Sequence, residues 1–255
     1  MRKLFLLFLL MLSLGIAAQQ SGSMYVAAKS GLSIREKPDA AAKVLDKIPY
    51  GTKITLLRGD EELKSITTEG ILGYWQKVKY NNKTGYILDS YLFPWPPPKL
   101  ATVKEVKNYF AQVTVPFGMK LVVKSGSMNN IEEGGWELNK QLYKNGAEWH
   151  EYLGYESGSN AYFFPGFSME QGFLLVRLIP EFKDVFGEKD EFPTENRSFK
   201  KGDVEYTITV NKLTWEGQTS PYIEKIHVEF SPDASYSFDM YMVDNQLVIS
   251  FGGGV

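Results

Sequence analysis

Gly31-Leu32-Ser33-Ile34-Arg35-Glu36-Lys37-Pro38 decides how the first part of this chain is read. It is a short strand-like segment running into a Pro38-Asp39 turn, and segments of the same kind return as Trp75-Gln76-Lys77-Val78 and Gly85-Tyr86-Ile87-Leu88. Between them lie further short apolar reads: Tyr25-Val26-Ala27, residues 44–48, and Ile54-Thr55-Leu56-Leu57. Pro49-Tyr50-Gly51 and Asn81-Asn82-Lys83 punctuate the runs where hairpins need turns. Short strands at this spacing predict a small all-β barrel, with the charged stretch 58–70 as a loop hairpin.

The order of these pieces resembles the bacterial SH3 (SH3b) family. The pattern is a Gly-Leu-x-Ile-Arg-x-x-Pro start, a Val-x-x-x-Ile-Pro-x-Gly middle, then Trp-x-x-Val and Gly-Tyr-x-x-x-x-Tyr-Leu. Here they fall at residues 31–38, 44–51, 75–78 and 85–92, and the resemblance covers residues 24–93 only. It implies a noncatalytic module of exported bacterial proteins, often attached to cell-wall enzymes and in several families a peptidoglycan binder.

The start of the chain fits that setting. Arg2 and Lys3 precede an apolar run over residues 4–12, followed by the small residues Gly15, Ala17 and Ala18. This is the pattern of a secretory signal peptide over residues 1–18, with cleavage after Ala17 or after Ala18. The run is short of the roughly 20 apolar residues that span a bilayer, so no transmembrane span is expected in the mature chain. The protein is therefore expected to be exported, to the periplasm or outside the cell.

The chain has no Cys, so neither a lipidated cysteine nor a disulfide is available, and stability must come from packed cores. About 235 residues after the leader are enough for two such cores. A net charge of −2 without a clustered basic surface argues against nucleic acid as a partner.

Tyr74, Trp75, Tyr86 and Tyr91 are the candidate ligand-binding residues, because aromatic rings with polar tips suit stacking of a sugar or peptide. Alternation sends one of Tyr74 and Trp75 into the barrel and the other outward. Pro94-Trp95-Pro96-Pro97-Pro98 ends the barrel, and its consecutive prolines predict a stiff linker over residues 94–99.

Residues 100–255 resemble no family that the sequence identifies. Thr102 is placed to cap a short amphipathic helix reaching Phe110, and Lys120-Leu121-Val122-Val123 reads as a strand. Asn145-Gly146 joins two strand reads, and Ala161-Tyr162-Phe163-Phe164 extends that sheet. Ser168-Met169-Glu170-Gln171 resembles a capping box opening a helix that Pro180 ends, with a buried strand over residues 173–179 as the rival reading. Alternating segments at 204–210, 223–230, 236–243 and 247–251 return to strands, the last two joined through Asp244-Asn245. The fold class is thus mainly β: a small SH3-like β-barrel followed by an α+β domain with a mostly antiparallel sheet.

Each wall-enzyme chemistry makes a demand that the residues answer. Cysteine peptidases and L,D-transpeptidases need a thiolate, and there is no Cys. Zinc amidases need several converging ligands, but the only histidines are His150 and His227, with no His-Glu-x-x-His run. No Gly-x-Ser-x-Gly elbow marks a serine nucleophile, so no catalytic residue, metal ligand or cofactor is assigned. A two-carboxylate glycoside hydrolase stays open, with Glu132-Glu133 or Glu148 and Glu151 as the places to look. The leading expectation is an exported noncatalytic binding protein whose barrel recognises a cell-envelope ligand such as peptidoglycan. The alternatives are a carboxylate-dependent cell-wall glycoside hydrolase targeted by the barrel, and a module binding envelope proteins.

Overall fold

The computed structural model describes residues 23–57, 63–127, 133–214, 216 and 221–255. The signal peptide expectation, residues 58–62 of the charged loop and Glu132 lie outside the described residues.

Eight short strands build the N-terminal barrel: β1 (Ser23–Val26), β2 (Leu32–Arg35), β3 (Val44–Ile48), β4 (Lys53–Thr55), β5 (Ser65–Thr68), β6 (Ile71–Tyr80), β7 (Lys83–Leu88) and β8 (Leu92–Phe93). They form two antiparallel sheets, ordered β4-β1-β8 and β3-β2-β7-β6-β5. Leu32 and Ile34 of the diagnostic stretch point inward with Val26, Ile48, Ile54, Val78, Ile87 and Leu92 as one small core. Asn81 and Asn82 both take positive φ, 46° and 59°, which is what a two-residue hairpin between β6 and β7 needs. The ten-residue β6 changes its buried face midway: Ile71, Gly73 and Trp75 are covered in its first half, Val78 in its second. One strand thereby serves both the barrel and the body beside it.

The rest of the chain folds as α1 (Val106–Val113), β9 (Pro116–Ser125), β10 (Trp136–Tyr143), β11 (Glu148–Gly154), β12 (Ser157–Pro165), α2 (Met169–Leu178), β13 (Arg197–Lys201), β14 (Val204–Leu213), β15 (Tyr222–Phe230), β16 (Ser235–Val243) and β17 (Gln246–Gly254). The nine strands make one antiparallel sheet, ordered β13-β14-β15-β16-β17-β12-β11-β10-β9. Ile208, Ile226, Val228, Phe238, Met240 and Ile249 pack on its inner face with Phe173 of α2 and with Phe182 and Phe186. Gly172 lets α2 sit directly on this face: a Cβ there would lie 2.3 Å from Leu247 Cδ2 and 3.0 Å from Met240 Sδ.

Ser168 and Gln171 form the reciprocal capping box that the sequence indicates, so residues 169–178 are helix and the rival strand is excluded. Thr102 does not cap α1. That helix starts at Val106, whose N–H is taken by the Glu181 carboxylate at 2.8 Å, while the Thr102 hydroxyl turns back to the Lys99 carbonyl. A long-range cap has displaced the local one.

The proline segment is packed rather than free. Tyr50, Tyr109 and Gln112 donate to the carbonyls of Pro98, Pro96 and Pro97 at 2.7, 2.9 and 3.0 Å. The Trp95 ring lies among Phe110, Phe164 and Phe167. Proline carbonyls have no ladder to join, and these side chains give them donors. Ala27, Ile71 and Phe93 of the barrel are buried in the larger core, so the two parts share apolar packing along this seam.

Candidate ligand-binding site

The four aromatic candidates do not converge on one groove. Trp75 stands opposite Leu88 and is 5% exposed, so its ring is closed to a ligand and its role is packing. Tyr74 is the outward member of the pair at 40% exposure, its backbone N–H held by Asp89 at 2.7 Å. Tyr86 pairs in register with Lys77, whose ammonium lies 5.9 Å from its ring centroid, on the strand face opposite Tyr74. Tyr91 is elsewhere, in the 3₁₀ turn Asp89–Tyr91 that leads into β8.

Tyr91 lines a cleft of about 270 Å³ between the barrel and α2. The turn after β1 brings Lys29 to it, the turn before β6 brings Glu69, and α2 supplies Leu174, Arg177 and Leu178. Arg177 donates to Glu69 at 2.6 Å and also to the Glu188 carbonyl, while Lys29 pairs with the Glu188 carboxylate at 3.1 Å. The Phe192 N–H is held by the Glu69 carbonyl at 2.9 Å, which fixes the turn carrying Glu69. Burial, with Glu69 nearby, pushes the Tyr91 phenol up to about 12, so it stays a neutral hydroxyl at ordinary pH.

Chemically, the cleft offers an apolar floor, one phenol, two cations and two carboxylates. Arg177 is largely enclosed and ordered by its partner, whereas the Glu188 side chain is 70% exposed at the mouth. The charges neutralise one another in two pairs, and only the exposed Lys29–Glu188 pair at the mouth is placed to exchange partners with a ligand carrying carboxylate and amino groups. None of Lys29, Glu69, Arg177 or Glu188 stands out in the sequence. They are scattered over some 160 positions, and only docking of α2 against the barrel brings them together.

Among the described residues, Glu133, Glu148 and Glu151 of the carboxylates considered for glycoside hydrolysis are not brought together as a pair. Glu148 and Glu151 are three apart on β11, so they point to opposite faces of the sheet. Glu148 bonds His150 at 3.0 Å on one face, while Glu151 holds Lys107 at 3.1 Å and Asn139 at 3.3 Å on the other. Glu133 accepts the Ser127 N–H at 3.0 Å. The carboxylate that stands out is Glu181, raised by burial, yet its oxygens are occupied by the Val106 N–H and the Tyr162 hydroxyl. His227 lies between Asp239 at 2.7 Å and Glu229 at 3.1 Å.

Residues 30–93 match the family model of the bacterial SH3 domain. The barrel is therefore a bacterial SH3 domain, and the remainder of the chain matches no family model. No curated protein and no solved structure matches the chain significantly. A bacterial SH3 domain suggests a cell-wall-binding module and is typical of exported proteins. Among the described residues, no helix is long and apolar enough to cross a membrane.

Proposed function

We propose that this is an exported, noncatalytic binding protein that holds a cell-envelope ligand, a peptidoglycan stem peptide with its attached glycan, in the cleft between the bacterial SH3 barrel and α2. The observation that carries the proposal is the placing of Tyr91, Glu69 and Arg177 of this cleft at the rim of a bacterial SH3 domain, a domain type that suggests wall recognition. A stem peptide presents carboxylates and amino groups on a short extended backbone. Lys29 and Glu188, the exposed pair at the mouth, suit those groups by exchanging partners with them, the Arg177–Glu69 pair closes the wall behind, and the Tyr91 ring gives contact area. The second domain is the rigid support that supplies one wall of the site.

The test is incubation with insoluble peptidoglycan, measuring both the bound fraction and any soluble muropeptides. Retention without release supports the proposal. Release of muropeptides establishes a hydrolase instead, and absence of both directs the search to envelope proteins.

A further inference from the structure

A hollow of about 520 Å³ lies on the nine-stranded sheet at the end where β11, β15 and β17 finish. Register shows how it is made. Glu229, Ser237, Gly252, Ser159 and Tyr152 stand in one row across β15, β16, β17, β12 and β11. Residues directly opposite share a face, and Leu247, which reaches α2 at Gly172, has the other parity in β17, so this row faces away from the helix. Ser235, Gly254 and Ser157 form the next row on the same face. The three middle strands thus present nothing longer than a serine side chain, and the floor is held low by crowding: a Cβ at Gly252 would lie 2.4 Å from Ser159 Cβ and 2.5 Å from the Gly158 carbonyl oxygen.

Small residues here answer to strand packing; the two walls do not. Tyr152 is 41% exposed, and its phenol oxygen would lie 3.0 Å from a Cβ on Gly154, so the ring leans along its own strand, low beside the floor. At the opposite wall the Glu229 side chain is 66% exposed, yet it is held in place: His227 Nε2 meets its Oε1 at 3.1 Å, and His227 Nδ1 meets Asp239 at 2.7 Å. Four strand spacings, about 19 Å, separate the strands that carry the two walls. Among the described residues, the hydroxyls of Ser157, Ser159, Ser235 and Ser237 have no hydrogen-bond partner.

We propose that this trough is a second binding site and that its ligand is a neutral oligosaccharide. No lysine or arginine lines it and its one charge is a carboxylate, so an anionic chain is repelled. The backbone beneath is spent in ladders on both sides, so an extended peptide has no strand edge to join. Serine hydroxyls both donate and accept, which matches sugar hydroxyls in either sense, and Glu229 accepts from them more strongly than a neutral group would. The Tyr152 ring offers apolar area to the C–H face of a sugar ring. The trough lies on the opposite side of the sheet from the cleft at Arg177 and holds whether or not that cleft binds its ligand.

An NMR titration of the labelled protein with cellotetraose and with chitotetraose tests this, and neither sugar carries a peptide that could report on the cleft. Saturable shifts of the amides of residues 157–159, 235–237 and 252–254 with either sugar are expected, with none from a heparin tetrasaccharide. Tyr152→Ala should weaken binding by about tenfold or more, and Glu229→Gln, which keeps the shape of the wall, by about fivefold. Tyr74→Ala, at an exposed tyrosine on the barrel, should bind as the wild type does. No shift with either neutral sugar up to its solubility limit overturns the proposal. Shifts centred on other surfaces, equal binding of the heparin fragment, or wild-type affinity in well-dispersed spectra of both Tyr152→Ala and Glu229→Gln overturn it as well.

Discussion

Arg177 on α2 donates to the carboxylate of Glu69 at 2.6 Å, across 108 positions of sequence and across the junction between the barrel and the second domain. The guanidinium also covers the Phe173 ring, 5.3 Å from its centroid, so it is held on two sides. This pair fixes how the barrel sits on its neighbour and shapes the cleft beside Tyr91.

Removing Arg177 should therefore affect both stability and binding. Arg177→Ala is expected to lower stability by about 1–3 kcal/mol, since a charged hydrogen bond at a largely enclosed side chain is lost and Glu69 is left unpaired. Chemical denaturation measures this, and a double-mutant cycle with Glu69→Gln should return a coupling well above that of exposed pairs. Retention on peptidoglycan should fall in the same variant.

Tyr74 and Trp75 are neighbours in sequence with opposite consequences. Trp75→Ala should cost about 3–5 kcal/mol, the usual range for a buried aromatic side chain, and lower the melting temperature sharply. Tyr74→Ala should change stability by no more than about 0.5 kcal/mol and, since Tyr74 stands apart from the cleft, leave ligand retention unchanged. Thermal melts and binding on the same samples separate the two effects.

Ser168→Ala removes one half of the α2 capping box and should cost about 1 kcal/mol. Thr102→Ala, at the threonine that the local sequence marks as a cap, should leave stability nearly unchanged, because Glu181 caps α1 instead. Equal losses from the two substitutions would contradict the assignment of caps.

His227 gives a pH signature. Burial alone would lower its pKa, but hydrogen bonds and charge from Glu229 and Asp239 outweigh burial and raise it above the ordinary histidine value. A raised folded-state pKa means that the folded protein binds the proton more tightly than the unfolded chain does. The stabilisation is thus fully present below about pH 6.5 and is lost as pH rises through the folded value. Urea unfolding of wild type and His227→Asn should show a larger stability gap at about pH 5.5 than at about pH 9. His150, whose pKa burial lowers, works in the opposite direction and is common to both proteins.

The barrel was legible in the sequence because its information is local. Leu32 and Ile34 alternate with Ser33 and Arg35, Val78 stands between Lys77 and Lys79, and Asn81-Asn82 supplies the turn conformation directly. The capping box at Ser168 and the hairpin at Asn145-Gly146 are local in the same way. Thr102 misled because the real cap, Glu181, lies 75 residues from the Val106 N–H that it receives. β13, with basic residues at three of its five positions, gives no strand signal, since an edge strand need not bury alternate residues. Of the candidate site, only the aromatics could be marked in advance. Glu69 and Arg177 belong to it through tertiary packing alone, and Trp75 leaves it because β6 buries that face.

The most direct test of the central claim is an NMR titration of the isotopically labelled protein with soluble muropeptides, following the backbone amides around the cleft. Saturable shifts centred on Lys29, Glu69, Tyr91 and Arg177, weakened in Arg177→Ala while the rest of the spectrum keeps its dispersion, are the predicted result. No shift at saturating muropeptide, or shifts confined to surfaces remote from Tyr91, would contradict it.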